Sequence, residues 1–166
     1  MLARRILFAL ALISGAGLLP PAAAAATTQA APIPPPPEVA GRSYVLIDHA
    51  TGRVLAERNA DQRVEPASIT KLMTAYVAFR ALAEGRLKLD ERISISERAW
   101  RSEGSRTFLN VGDQVPAEVL LQGMIVQSGN DAAVAIAERL AGSEATFAQL
   151  MTEQAKQIGM RNSSFA

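Results

Sequence analysis
The sequence predicts an α+β chain in which a β-hairpin precedes a helical lobe. Tyr44 to Ile47 is a continuous apolar run, the turn sequence DHATG follows it, and Arg53 to Glu57 alternates polar with apolar. Ile69, Leu72, Met73, Tyr76 and Val77 recur at the i, i+3, i+4, i+7, i+8 spacing of one apolar helix face. Beyond Pro116, three more apolar segments are separated by turn formers at Gly129-Asn130 and Gly142.

The elements can be taken in order. Arg4 and Arg5 head a fourteen-residue, mostly apolar run from Ile6 to Leu19, and Pro20, Pro21 and a string of alanines ending at Ala26 follow. A charged head, a short apolar middle and small residues at a cut site describe a secretory signal peptide. A membrane span needs about 20 apolar residues, so this run is short for one. The arginine pair alone does not separate the general export route from a twin-arginine one. Thr27 to Ala40 contains PIPPPP, an extended polyproline stretch with nothing to bury, which reads equally as a spacer or as a leftover without structure. The expected organisation is therefore signal peptide 1–26, Pro/Ala-rich linker 27–40 and folded part 41–166, the last long enough for a modest core.

Within the folded part, Gly52 closes the hairpin turn, and Pro66 suits the first turn of the helix that carries Ile69 to Val77. EGRLKLDERISI reads as a turn and a short strand, and Arg98 to Val115 as irregular chain with turns at Gly104 and Gly112-Asp113. Pro116 opens a second helix through Leu120, Leu121, Met124 and Ile125, which stops at QSGND. Asp131 is expected to cap a third from Ala132 to Leu140, ended by Gly142. Ser143 is expected to cap a fourth, with Phe147, Leu150, Met151 and Ile158 on one face. A two-stranded hairpin is marginal alone, so its edge calls for a further partner.

Composition removes several function classes. The whole chain has seventeen basic and sixteen acidic residues; loss of Arg4 and Arg5 leaves fifteen against sixteen, a net of −1. No basic field remains to hold nucleic acid. There is no cysteine, so neither disulfides nor thiolate chemistry enter. The single histidine, His49, lies in the hairpin turn, where such a residue is most often merely solvated, which speaks against Ser-His-Asp chemistry.

Ser68 and Lys71 remain. Residues three apart on a helix share a face, so a lysine amine can reach a serine hydroxyl one turn earlier. A serine hydroxyl is a poor nucleophile until a base takes its proton. Lysine can be that base only when neutral, and a reference pKa of about 10.4 leaves roughly one molecule in 2,500 neutral at pH 7. A helix N-terminus disfavours a second cation, and burial pushes the same way. Arginine stays protonated and could not substitute, which gives a reason for one of only three lysines to stand here. Ser-x-x-Lys alone is a weak signal, since a solvated serine and lysine in a first turn look the same. Ser128-Gly129-Asn130 adds a second feature, a tight turn between two apolar helices. Ser128 is placed to relay a proton between Lys71 and a leaving group, and Asn130 to bond a substrate amide or the lysine. The same three residues would also serve simply to stop one helix and start the next.

Together, ASITKLMTAYV and QSGNDAAVAIAE resemble the low-molecular-mass penicillin-binding proteins, specifically serine-type D-alanyl-D-alanine carboxypeptidases. Ser-Gly-Asn in place of Ser-Asp-Asn points towards them and away from class A β-lactamases. The likeness runs from about Tyr44 to Phe165 and includes GDQVPAEVLLQGM. It implies the penicillin-binding-protein/β-lactamase-like transpeptidase fold. It also implies Ser68 as nucleophile, Lys71 as base, Ser128 as a catalytic relay and Asn130 as a substrate-binding residue. The implied substrate is the peptidoglycan stem peptide, whose terminal D-alanine is removed through an acyl-enzyme, with β-lactams as covalent inhibitors. No metal or organic cofactor is implied, and the expected location is the periplasm or cell envelope. No nucleic-acid partner is expected, and no membrane anchor in this chain once the signal peptide is cut.

One part of the family pattern is absent from this sequence. Lys-Thr-Gly does not occur, and the only Thr-Gly pair is Thr51-Gly52, preceded by Ala50. In the family that motif lies on a later strand, where it contacts the substrate carboxylate and completes the oxyanion hole; losing one such donor costs about 10²–10³ in rate. The family's C-terminal domain and amphipathic anchor are also not found. The expectation is thus an incomplete fold, a hairpin plus helical lobe lacking its later strands, poorly folded or inactive alone. The competing functions are a β-lactamase-like hydrolase, a peptidoglycan endopeptidase and an inactive wall-binding fragment.

Overall fold
The computed structural model describes Pro35 and residues 38–166. The expected signal peptide and most of the expected linker lie outside the described residues. The chain divides into two compact units, Met1–Asp61 and Gln62–Ala166.

The described part of the first unit is the expected hairpin. Strand β1 (Tyr44–Ile47) pairs antiparallel with β2 (Val54–Arg58), Tyr44 opposite Arg58 and Ile47 opposite Val54, with an irregularity between Leu46 and Ile47. Asp48 organises the turn. Its Oδ1 accepts from Thr51 N at 2.8 Å and Thr51 Oγ1 at 2.6 Å, and its carbonyl accepts from Gly52 N at 2.9 Å. The Arg58 guanidinium lies 5.5 Å from the centre of the Tyr44 ring, a cation–π contact across the open end. His49 is exposed in the turn, as its position in sequence suggests.

The second unit is helical. A 3-10 turn (Ala67–Thr70) runs directly into α1 (Lys71–Ala83). Strand β3 (Arg92–Ser94), the short helix α2 (Glu97–Trp100) and strand β4 (Gln114–Pro116) follow. Then come α3 (Ala117–Val126), α4 (Asn130–Ala141) and α5 (Glu144–Gln157). β3 and β4 form an antiparallel pair, with Ile93 opposite Val115. That pair brackets an irregular stretch from Arg101 to Asp113. The sequence reading of Arg98 to Val115 as irregular chain is therefore trimmed at both ends. Ser96 caps α2 by accepting from Ala99 N at 2.9 Å, and Gln114 and Val115 are drawn into the strand pair.

α4 is the central element. Asp131, Ala132, Val134, Ala135, Ile136 and Ala137 are all buried, so the helix is covered nearly all round. α1, α2, α3, α5 and β3 all pack against it. Its alanines let those neighbours come close, and Ile136 and Val134 fill the space with Leu87, Ile93, Ile95, Leu120 and Met124. Gly142 ends the helix at φ +78°, a left-handed cap that glycine adopts without a Cβ clash. Ser143 caps α5 by accepting from Thr146 N at 3.1 Å, and Phe147 and Met151 pack with Met73 and Val77 of α1.

The predicted apolar face of α1 divides. Met73 and Val77 are buried with α5, and Ala75, Ala78 and Ala81 are buried in the other cluster. Ile69 and Leu72 remain 66% and 71% exposed, and Tyr76 also lies at the surface. Periodicity ranks residues by hydrophobicity, whereas α4 selected the alanine face because small side chains let two helix backbones approach. Ile158, expected on the same face as Phe147 and Met151, lies just past the end of α5 and stays exposed while those two go inside.

Candidate active site
Two pieces of backbone carry the candidate residues, and both are held in uncommon conformations. Ala67, immediately before Ser68, has φ +47°, and Ser128 has φ +58°. Left-handed backbone at a non-glycine residue costs on the order of 1–3 kcal/mol and persists only where surrounding packing holds it. The first bend delivers Ser68 into the 3-10 turn; the second delivers Ser128 into the junction between α3 and α4. Ser68 thus stands just ahead of α1, not in its first turn as the sequence suggested, and Lys71 is the first residue of the helix. In a 3-10 turn residues i and i+3 eclipse, so the two still share an edge.

The contacts join these four side chains into two pairs. Ser128 Oγ donates to Ser68 Oγ at 3.0 Å, across a separation of 60 residues. Lys71 Nζ donates to Asn130 Oδ1 at 2.5 Å, across 59. Among the described residues, no hydrogen bond links Lys71 Nζ directly to Ser68 Oγ. The amine is engaged by the asparagine, and the serine hydroxyl by a second serine.

Electrostatics at Lys71 follow from its place. Partial burial removes water from the ammonium and lowers its pKa below that of a free lysine. The Asn130 carbonyl is a neutral acceptor: it can bond the charged or the neutral amine without the Coulombic hold that a carboxylate would impose.

Asn130 is itself held on three sides. Its backbone N donates to Ser105 O at 2.7 Å, and its Nδ2 donates to Glu103 O at 2.6 Å. Next to it, Asp131 does not cap α4 as expected. The helix starts at Asn130, two residues earlier than expected, Gly129 occupies the cap position, and the Asp131 carboxylate turns towards the loop at Thr107. Gly129 and Gly123 are where that loop comes closest. A Cβ at Gly129 would lie 2.8 Å from Thr107 Cγ2, and one at Gly123 only 2.4 Å from the same methyl. Glycine in SGN therefore does more than turn the chain: it lets Thr107 lie against the α3–α4 junction.

Sequence reasoning did not find Asp131 or Thr107 as parts of this site. A signal was available. A carboxylate followed directly by Ala132-Ala133-Val134-Ala135 enters an apolar helix, where a charge must find partners. Among the described residues no group of three or more His, Cys, Asp or Glu side chains is gathered as a metal centre would require.

This arrangement can be set beside known proteins. A family model described as D-alanyl-D-alanine carboxypeptidase matches residues 26–166. The chain is 44% identical over 133 residues to "D-alanyl-D-alanine carboxypeptidase DacC" of Escherichia coli, a match covering 76% of this chain and 33% of that protein. Among solved structures it is similar to the D-alanyl-D-alanine carboxypeptidase DacD of Francisella tularensis, with TM-score 0.75 and 41% identity, over 78% of this chain and 31% of that one. It is also similar to penicillin binding protein 5 of Haemophilus influenzae, with TM-score 0.76 and 39% identity, over 80% of this chain and 39% of that one. The chain spans about a third of the length of the curated relatives it matches.

Proposed function
Since the chain belongs to the D-alanyl-D-alanine carboxypeptidase family, we propose that it carries the nucleophile and the proton-handling residues of a serine-type carboxypeptidase acting on peptidoglycan stem peptides. The observation that carries this reading is the 3.0 Å contact between Ser128 Oγ and Ser68 Oγ, beside Lys71 bound to Asn130 at 2.5 Å. Two hydroxyls in contact, with an amine of lowered pKa three residues along the chain from Ser68, supply the groups that can take a proton from Ser68.

In the proposed reaction, Ser68 Oγ attacks the carbonyl carbon between the last two D-alanines. Its proton passes to the neutral amine of Lys71, through Ser128 or directly once substrate draws the groups together. The hydroxyls can rotate, so the Ser68–Ser128 bond can run in either direction. The tetrahedral intermediate then breaks its C–N bond. The departing nitrogen takes a proton handed back from Lys71 through Ser128, and D-alanine leaves. Water, deprotonated by the same amine, attacks the Ser68 ester; as that ester bond breaks, Lys71 returns the proton to Ser68 Oγ and the shortened peptide is freed. Asn130 offers its amide to the substrate as well as to Lys71. A β-lactam would follow the first half of this path, opening its ring on Ser68 and remaining as an ester.

The same reading places residues 1–26 as a secretory signal peptide, 27–40 as a linker and 41–166 as part of the catalytic domain, in a protein of the periplasm. The Arg4-Arg5 head and the PIPPPP stretch support it. The experiment is incubation of the chain with a fluorescent penicillin, followed by peptide mass spectrometry. An adduct on Ser68 that turns over slowly is the expected result. No adduct in a folded sample, or an adduct elsewhere, overturns the reading; rapid release of opened penicillin would point to a β-lactamase-like hydrolase.

A further inference from the structure
The side chain of Asp131 is fully buried, at 0% exposure, and no step of the proposed reaction uses it. Its carboxylate accepts from Thr107 N at 2.9 and 3.0 Å, from Thr107 Oγ1 at 2.8 Å, from Leu109 N at 3.4 Å and from Ala132 N at 2.9 Å. Only Ala132 belongs to α4. The remaining donors belong to the loop between α2 and β4, so the carboxylate mainly holds that loop and serves the helix end less.

The same loop fixes Asn130. Ser105 O takes its backbone N–H, and Glu103 O takes its side-chain Nδ2. A carboxamide has one donating end and one accepting end. With Nδ2 committed to Glu103, Oδ1 is turned towards Lys71 Nζ, where it accepts at 2.5 Å. Adjacent residues at the start of α4 therefore grip one loop from two sides, Asp131 at Thr107 and Leu109, Asn130 at Glu103 and Ser105. The close approach over Gly123 and Gly129 leaves Thr107 no slack between them.

We infer that Asp131 is a positioning residue, whose buried carboxylate locks the Glu103–Leu109 loop so that Asn130 presents Oδ1, and not Nδ2, to Lys71. The consequence for catalysis rests on the roles proposed above for Lys71 and Asn130. The chemistry of the lock is acceptor-only: an ionised carboxylate offers two oxygens to four donor groups. Asp131→Asn replaces one oxygen by an NH₂ that must face Thr107 N or Leu109 N, donor against donor. The loop then has reason to shift, and Asn130 loses the carbonyl that orients it.

The test is made on the whole chain, isotopically labelled. NMR reads the Asn130 side-chain amide and the pH titration of Lys71 at Cε, in the parent, in Asp131→Asn and in Thr107→Val. The valine keeps the methyl over the glycines and removes one donor to the carboxylate. In Asp131→Asn we expect the Asn130 amide protons to shift and to exchange about tenfold faster. The Lys71 midpoint should move, and labelling of Ser68 by fluorescent penicillin should slow by about 10- to 10²-fold. Thr107→Val should show the same changes, smaller. A folded Asp131→Asn chain with unchanged Asn130 and Lys71 signals overturns the inference. If Asp131→Asn does not fold, unchanged signals in Thr107→Val overturn it equally. A parent that takes no penicillin, while the variants still move Asn130 and Lys71, defeats the carboxypeptidase reading and leaves the positioning role standing.

Discussion
Lys71 Nζ donates to Asn130 Oδ1 at 2.5 Å, and this bond ties the first residue of α1 to the first residue of α4. The lysine is thereby held half-buried, by a partner that does not demand its charge.

Because burial lowers the pKa of Lys71, the fraction of neutral amine at a given pH exceeds that of a free lysine. The rate of penicillin labelling at Ser68 should therefore climb with pH up to the depressed Lys71 value and then level off. Lys71→Met should slow labelling by about 10²–10⁴. Lys71→Arg should do the same despite keeping the charge, since the guanidinium does not give up its proton. Labelling that stays flat from acid to alkaline pH, or an arginine variant that keeps the parental rate, would contradict a base at this position.

Asp131 ties folding to acidity. Burial pushes its carboxyl pKa up, but the hydrogen bonds from Thr107, Ala132 and Leu109 together outweigh that and hold it below the usual value. A carboxyl depressed in the folded state contributes stability above its unfolded pKa of about 3.9, and that contribution is lost as pH falls through the folded value. Glu84 and Glu91 are lowered as well, chiefly by hydrogen bonds from Arg86 and Arg139. The informative quantity is thus the difference between parent and Asp131→Asn. That gap should be about 1–3 kcal/mol near neutrality and shrink below pH 4, as followed by thermal melts. A gap that is constant down to pH 2 would mean the carboxylate charge is irrelevant to the lock.

Gly123 lies inside α3, where alanine is ordinarily the better helix former by about 1 kcal/mol. Here a Cβ would meet Thr107 Cγ2 at 2.4 Å. Gly123→Ala should consequently destabilise the chain, by about 1–3 kcal/mol. Adding Thr107→Ser removes the methyl, keeps the hydroxyl for Asp131, and should recover most of the loss. Strict additivity of the two changes in denaturant titrations would show that the contact is not the cause.

Met73 and Leu72 are neighbours on α1, but only Met73 is in the core, at 6% exposure against 71%. Met73→Ala should cost about 2–5 kcal/mol. Leu72→Ala should change stability by no more than about 0.5 kcal/mol. Comparable losses from both would mean that the outer face of α1 is covered in solution.

Much of the architecture was legible in the sequence because it is written in local patterns. The apolar run of β1, the Asp48–Gly52 turn, the Gly142 stop and the Ser143 cap each depend on residues within one or two turns of each other. The same holds for the Ser68/Lys71 spacing and for the Ser128-Gly129-Asn130 turn, which mark the site without assembling it. The short strand β4 escaped notice because three residues carry no periodicity, and it exists only because β3 lies beside it.

What was legible in the sequence alone was the order of the hairpin and the four longer helices, and the identity of the four polar side chains that meet. Only the folded chain decided how they pair, Ser68 with Ser128 and Lys71 with Asn130, and that Asp131 faces a loop and not its own helix end. The reason is physical. Turns and caps are decided by neighbours along the chain, whereas these contacts span 22 to 60 residues. They depend on how closely alanine and glycine let α1, α3, α4 and the Thr107 loop approach one another.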